Sequence, residues 1–552
     1  MPELHGVGVG RGTATGPVLR MAEPLGEPDS SPLQGDAASA KASVGEALAA
    51  VAADLGKRGQ AAGGDAQAVL EAQALMAQDP SILDDVHRQI DEGTNPERAV
   101  FTAFKSFQDV LAGMGGYMGE RAADLGDVAQ RIIAQLRGVH APGVPESDTP
   151  FILVARDLAP ADTALLDLDK VLALVTRDGG PTSHTAILAR AKGITAIVGV
   201  SSADELSDGQ VVIVDAAAGA VVTDPTDEQV AEAEKKRAER LAAADAPLTA
   251  GALADGTAVP LLANLGSPKD AANAVELGAE GVGLFRTEFL FLDSPYAPDV
   301  ATQKASYKAL LEAFPGKKVV VRALDAGADK PLPFLTDSGE ENPALGRRGL
   351  RALRHHPEIL RDQLTALAEA DAETEADLWV MAPMVADVEE TEYFVSLAKE
   401  LGIKTAGVMA EVPSVALLAE QVIAAADFVS IGTNDLTQYT MAADRMLGTV
   451  ASYQDPWHPA VLRLVAQLGA AGATAHKGVG ICGEAASDPM LAVVLVGLGA
   501  TTLSMTPAAL ADVRAELKNH TLDQAKALAA AAVAAPSAAA AREAVARASA
   551  AS

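Results

Sequence analysis

The run Gly179-Gly180-Pro181-Thr182-Ser183-His184-Thr185-Ala186-Ile187-Leu188-Ala189-Arg190 places a histidine where a helix opens, just after a strand-like stretch, Val171–Thr176. Its glycines let the backbone turn tightly, and the first N–H groups of a helix are free to hold an anion. A histidine in that setting can act as a nucleophile whose phosphorylated form those donors stabilise. The plainer reading makes Thr182 or Ser183 a helix cap and His184 a bystander. That accounts for one histidine near a helix start, but not for the whole run.

A second set of residues recurs at the ends of apolar runs further along the chain: Arg286, Arg322, Glu411, Asn434 with Asp435, and Cys482. Arginines make forked contacts to phosphate and carboxylate oxygens. Glu411 and Asp435 are hard oxygen donors that suit Mg²⁺, which commonly uses one or two carboxylates plus substrate phosphate. Lys330 and Arg445 fall just past two of these runs and add positive charge. The ligand these residues imply is a small phosphorylated carboxylate bound with Mg²⁺. Taken singly, each has a plainer explanation: Arg286 and Glu288 as a local ion pair, Glu411 as an orienting carboxylate, Cys482 as a small buried hydrophobe. At a strand end, however, a thiol of ordinary pKa ~8.5 is mostly protonated at neutral pH and can serve as an acid.

The elements that must position these groups follow from the rhythm of the sequence. Residues 1–22 and 145–225 read as one α/β unit, with Phe151–Ala155, Val171–Thr176, Thr195–Val198 and Val211–Val214 as strands. Between them, residues 35–141 have helical period, with Leu48, Val51 and Leu55 on one face and helix starts at Asp79-Pro80-Ser81 and Thr94-Asn95-Pro96. A charged helix over 226–250 links to residues 251–525. There, strand-like runs at Val259–Leu265, Gly281–Phe285, Lys318–Leu324, Leu378–Met384, Thr405–Glu411, Phe428–Asn434, Gly478–Gly483 and Thr501–Met505 alternate with helices. Eight β/α repeats predict a (β/α)8 barrel, whose catalytic residues sit at the C-terminal ends of its strands. The Ala-rich stretch 526–552 reads as a terminal helix or a frayed end.

Composition narrows the function. The 552 residues carry a net charge of −31 and 3% aromatics, which argues against nucleic-acid binding. One cysteine excludes an intrachain disulfide. No apolar run is long enough to span a bilayer, and no signal-peptide pattern opens the chain, so a cytoplasmic protein is expected.

Several long runs carry a family resemblance: the His184 segment, Gly283-Leu284-Phe285-Arg286-Thr287-Glu288-Phe289-Leu290-Phe291, Glu341-Asn342-Pro343-Ala344-Leu345-Gly346, Gly407-Val408-Met409-Ala410-Glu411-Val412-Pro413, Phe428 through Tyr439, Cys482-Gly483-Glu484 and Glu120-Arg121-Ala122-Ala123-Asp124. Over almost its whole length the chain resembles the enzyme I family of the sugar phosphotransferase system. The resemblance implies a swivelling α/β phosphohistidine domain with an inserted all-helical subdomain, followed by the barrel. It implies phosphorylation of His184 on Nε2 by phosphoenolpyruvate, with Thr163 a neighbour of that histidine. It also implies donor binding by Arg286, Arg322, Asn434 and Arg445, secondary donor contacts from Lys330 and Arg348, Mg²⁺ on Glu411 and Asp435, and protonation of the enolate by Cys482. The helical insert would dock a small histidine-containing phosphocarrier protein, HPr, and the barrel would form a homodimer. Pro181, Ala328 and Gln73 depart from the family pattern, the last standing where the docking helix often has a histidine. Phosphoenolpyruvate synthases and pyruvate phosphate dikinases share both chemical domains. They also need a large nucleotide-binding domain, whereas here about 100 residues of helix stand in the insert. A non-catalytic protein on the same scaffold would be expected to lack some of these ligands.

Overall fold

The computed structural model describes residues 3–550 apart from 11, 23–24, 63, 115, 140, 146, 159–165, 181–184, 187–188, 190–192, 217, 245–247, 293–294, 328–331, 336–338 and 446. Three expected site residues, Thr163, His184 and Lys330, lie outside the described residues. The chain divides into two compact units, Met1–Arg237 and Ala238–Ser552.

In the first unit, β1 (Glu3–His5), β2 (Val7–Val9), β3 (Thr13–Arg20), β4 (Phe151–Ala155), β5 (Val171–Thr176), β6 (Ala196–Val198), β7 (Val211–Asp215) and β8 (Ala220–Val222) form one sheet in the order β1-β8-β7-β3-β4-β5-β6-β2. Strands β3 to β6 run parallel, and β7, β8, β1 and β2 join antiparallel. The central strand β4 is buried throughout because both of its faces are covered. Phe151, Leu153 and Ala155 feed one core while Ile152 and Val154 feed another, the period of two expected of a strand.

Between β3 and β4 the chain forms α1 (Ala37–Ala62), α2 (Gly64–Met76), α3 (Pro80–Asp91), α4 (Pro96–Met114) and α5 (Gly116–Arg137). Val44, Leu48, Val51 and Leu55 recur at helical spacing on α1 and pack with Val86, Ile90, Phe104 and Ile132. The start of α3 is fixed by Asp79, whose carboxylate accepts the N–H groups of Ser81 and Ile82, with Pro80 in the first turn. Gln73 points inward from α2: it is buried and its Nε2 donates to Asp124 Oδ1 at 3.1 Å. It therefore helps hold α2 to α5.

In the second unit, β9 (Leu261–Leu265), β10 (Val282–Phe285), β11 (Lys318–Arg322), β12 (Asp377–Ala382), β13 (Thr405–Ala410), β14 (Val429–Ile431), β15 (Val479–Ile481) and β16 (Thr502–Met505) close into a parallel barrel, β16 returning to β9. This is the barrel the eight apolar runs predict. Leu284, Val320, Met381, Met409, Phe428 and Cys482 fill its interior, so it is a packed core and not a pore. The Ala-rich end is not frayed. Helices Leu522–Ala534 and Ala538–Ala550 bury Ala525, Leu528, Ala541 and Val545 in the same core as the barrel strands, and Arg542 pairs with Asp455. Among the described residues no helix is long and apolar enough to cross a membrane.

Candidate active site at the barrel mouth

The polar residues expected at strand ends gather at the C-terminal mouth of the barrel. Arg322 is the last residue of β11 and is buried. One arm of its guanidinium meets Glu288 and another lies 3.0 Å from Asp325 Oδ2. Its Nε is buried and has no hydrogen-bond partner among the described residues. The local pair considered for Arg286 and Glu288 is thus corrected: Glu288 serves Arg322. Three residues past the end of β10 the chain has left the strand, and the carboxylate reaches across to the neighbouring one.

Arg286 is exposed at the mouth and makes no ion pair within 4.0 Å among the described residues. Protein packed around its guanidinium, and then the nearby Arg322, hold its pKa below the ordinary arginine value. The residue is open to solvent on one side and packed by protein on the rest. A cation with one open face and no carboxylate of its own is a receptor for an anion.

Arg348 is 1% exposed, and its fork is filled by two carboxylates. Nε and Nη2 donate to Asp325 at 3.1 and 3.0 Å, while Nη1 and Nη2 donate to Asp435 at 2.9 and 3.1 Å. Arg445 stands 3.6 Å from the same Asp435, and its backbone N–H is held by Gln438 Oε1. Asp435 and Asn434 open the helix Thr433–Met441, directly after β14. Asn434 Oδ1 accepts the Glu484 N–H at 3.0 Å, which fixes its carboxamide and turns the amide donors elsewhere.

Glu411 follows β13 and is 1% exposed. Its Oε1 accepts the Met384 N–H at 2.7 Å. Burial first, and then the negative Asp435 and Asp325, push its carboxyl up to about 8. This excess of negative charge is what a divalent cation would relieve. Among the described residues no three His, Cys, Asp or Glu side chains converge as a closed metal cage. Mg²⁺ fits nonetheless, since it commonly takes one or two carboxylates and completes its shell with water and substrate oxygens.

Cys482 caps β15, is 2% exposed, and lies 3.5 Å from the Ile431 carbonyl oxygen. Burial pushes its thiol up to about 12, well above the ordinary value assumed from sequence. The group is therefore held as an acid.

Sequence reasoning missed Asp325, Tyr439, Gln438, Met384 and Asn264. Asn264, near the end of β9, donates to the Cys482 carbonyl at 3.0 Å and so steadies the thiol's own residue. Its only sequence signal is a strand-end position like that of Arg322. In the first unit, the described residues around the His184 segment follow β5: Gly179 adopts φ 98°, and Thr185, helical and buried, donates to Asp157 Oδ1 at 2.9 Å.

Three family models cover most of the chain: "PEP-utilising enzyme, N-terminal" over residues 5–121, "PEP-utilising enzyme, mobile domain" over 147–219, and "PEP-utilising enzyme, PEP-binding domain" over 240–522. The chain is 54% identical to a phosphoenolpyruvate-protein phosphotransferase of Streptomyces coelicolor, covering 96% of each chain. It is 37% identical to that of Bacillus subtilis, over 95% of this chain and 96% of the other. With a relative of Haloferax volcanii bearing the same name it shares 41% identity, over 85% and 84%. On these matches, together with the cations, carboxylates and thiol at the barrel mouth, the chain belongs to the phosphoenolpyruvate-protein phosphotransferase family of PEP-utilising enzymes.

Proposed function

We propose that the chain transfers the phosphoryl group of phosphoenolpyruvate to Nε2 of its own His184, releases pyruvate, and passes the phosphoryl group to a histidine of the phosphocarrier HPr. The observation that carries this reading is the composition of the barrel mouth: an unpaired Arg286 and a buried Arg322 beside Glu411, Asp435 and a thiol held protonated. Arg286, Arg322, Asn434 and Arg445, with Lys330, hold the donor's phosphate and carboxylate. Arg348 orients Asp435, since its fork is already occupied. When bound by Glu411 and Asp435, Mg²⁺ supplies charge neutralisation on the phosphate oxygens. The bridging P–O bond breaks as the bond from phosphorus to His184 forms, and the electron pair stays on the enolate. The enolate carbon then takes the proton of Cys482, and solvent returns a proton to the sulfur. The family resemblance assigns Thr163 as a neighbour of the phosphorylated histidine.

HPr docks on the helices between β3 and β4, two copies of the chain pair through their barrels, and the enzyme works in the cytoplasm. Incubating the chain with radiolabelled phosphoenolpyruvate and Mg²⁺, without nucleotide, tests the core of the reading. Acid-labile, alkali-stable label on the peptide containing His184, equimolar pyruvate, and no label in H184A are expected. Label that requires nucleotide, or acid-stable label on Ser183 or Thr182, refutes it.

A further inference from the structure

We propose that Met384 and Gly349 form a backbone latch that sets the spacing of the two cation-binding carboxylates, Glu411 and Asp435; the inference rests on their assignment above. Met384, just past β12, is buried and has φ 56°. A long side chain in the left-handed region is uncommon and persists only where its surroundings over-determine it. Here that conformation accompanies a specific contact, the N–H held 2.7 Å from Glu411 Oε1. On its other side Glu411 lies against Gly432, where a Cβ would come within 2.7 Å of Oε2, so a glycine is required there.

The partner half of the latch comes from the loop after β11. Gly349 has φ 58° and ψ −130°, a conformation reserved for glycine. A Cβ there would fall 2.9 Å from Met384 Cβ and 3.0 Å from its Cγ. Leu350 N donates to Pro383 O at 3.3 Å, which stitches the two loops at this point, and Gly349 N donates to Ala326 O at 3.1 Å, which braces Gly349 within its own loop. The residue before Gly349 is Arg348, which holds Asp435. The Gly349–Met384 contact therefore joins the residue that orients one carboxylate to the residue that orients the other. Met384 is a positioning residue acting through its backbone.

The test is Mn²⁺ binding to the full-length chain, measured by calorimetry and by the electron-paramagnetic signal of free Mn²⁺, with E411Q as calibration. M384G keeps the N–H and the left-handed backbone while deleting the buried side chain. M384V keeps a buried apolar side chain but puts a β-branched residue where it resists positive φ. Loss of an orienting partner commonly weakens metal binding by about 10- to 100-fold, so M384V should bind about tenfold or more weakly and M384G within about threefold of wild type. G349A should weaken binding as M384V does. Thermal denaturation confirms that each variant is folded. If the order is reversed, with M384V near wild type and folded M384G tenfold weaker, side-chain packing explains Met384 and the latch is wrong. Should M384V fail to fold, a tenfold loss in folded M384G, or wild-type affinity in G349A, overturns it. If wild type and E411Q bind Mn²⁺ alike, the cation assignment fails and the latch falls with it.

Discussion

The state of Cys482 offers a sharp test because it is the one thiol in the chain. Burial inside the barrel pushes its pKa from an ordinary 9.0 up to about 12. At pH 8 an unfolded cysteine is then about one-tenth thiolate, and the native one about one part in ten thousand. Alkylation by iodoacetamide should therefore be at least about a thousandfold slower in the native chain than in urea, and 2% exposure slows it further. The linkage has a definite sign. A raised folded pKa means the native state keeps its proton where the unfolded state has lost it. The contribution is fully present below pH 9.0 and is lost as pH rises toward 12. Between pH 9 and 10, wild type should lose roughly 1 kcal/mol more stability than C482A. Trp379 and Trp457, the two tryptophans of the chain, both lie in the barrel unit, so their fluorescence in a urea series reads this unit alone. Native alkylation within tenfold of the unfolded rate would refute a thiol held protonated by burial, and so would identical pH slopes for wild type and C482A. Either result would remove the support for Cys482 as the proton donor.

Replacing Arg348 by Met should destabilise the barrel unit by about 3–5 kcal/mol, because it strips a buried partner from both Asp325 and Asp435. The same fluorescence-monitored urea series measures it, and a loss below about 1 kcal/mol would mean Arg322 and Arg445 suffice. On the helical insert, Arg88 already engages Asp85 and Glu92, and Lys41 engages Asp91, which leaves the exposed Asp84 on α3 and the exposed Leu75 on α2 as the docking residues to test. D84N should slow transfer to HPr a few-fold at low salt and little at high salt, and L75E at both, with His184 labelling unchanged in either variant. Wild-type transfer by L75E across the salt series would move docking to another surface.

What the sequence disclosed and what it hid divide along physical lines. Apolar runs such as Lys318–Leu324 announce strands because burial on both faces demands them, and a barrel then assigns meaning to whatever polar residue ends each run. Arg286, Arg322, Glu411, Asp435 and Cys482 were legible for that reason. The partners of those residues were not. Glu288 is an acidic residue in a loop, where acidic residues are ordinary, and only the packing of β10 beside β11 brings it to Arg322; Asp325 is three residues from Arg322, but its bridge to Arg348 exists only in the fold. Local spacing even pointed Glu288 toward the wrong arginine. Met384 contributes a backbone N–H, which no side-chain pattern encodes, and its positive φ is invisible in a methionine. The burial of Gln73 was not legible either, because the Ala-rich α2 does not reveal which face is inward.

The return of β16 to β9 has a consequence for how the enzyme is made. Leu503, Ser504 and Met505 pair with Leu261, Leu262 and Ala263, so the strand that opens the barrel waits for the strand that closes it. During synthesis, Leu261 leaves the ribosome more than two hundred residues before its last partner does, and at about 5–20 residues per second that interval lasts roughly ten seconds or more. Throughout it, β9 and each strand that follows present an unpaired edge. The helices between β3 and β4 face no such delay, since their contacts are local and can form while translation continues. The sheet of the first unit shares the delay, since β1 waits for β8, so the two sheets, rather than the helical insert, are the aggregation-prone parts of the nascent chain and the natural clients of chaperones that shield strand edges.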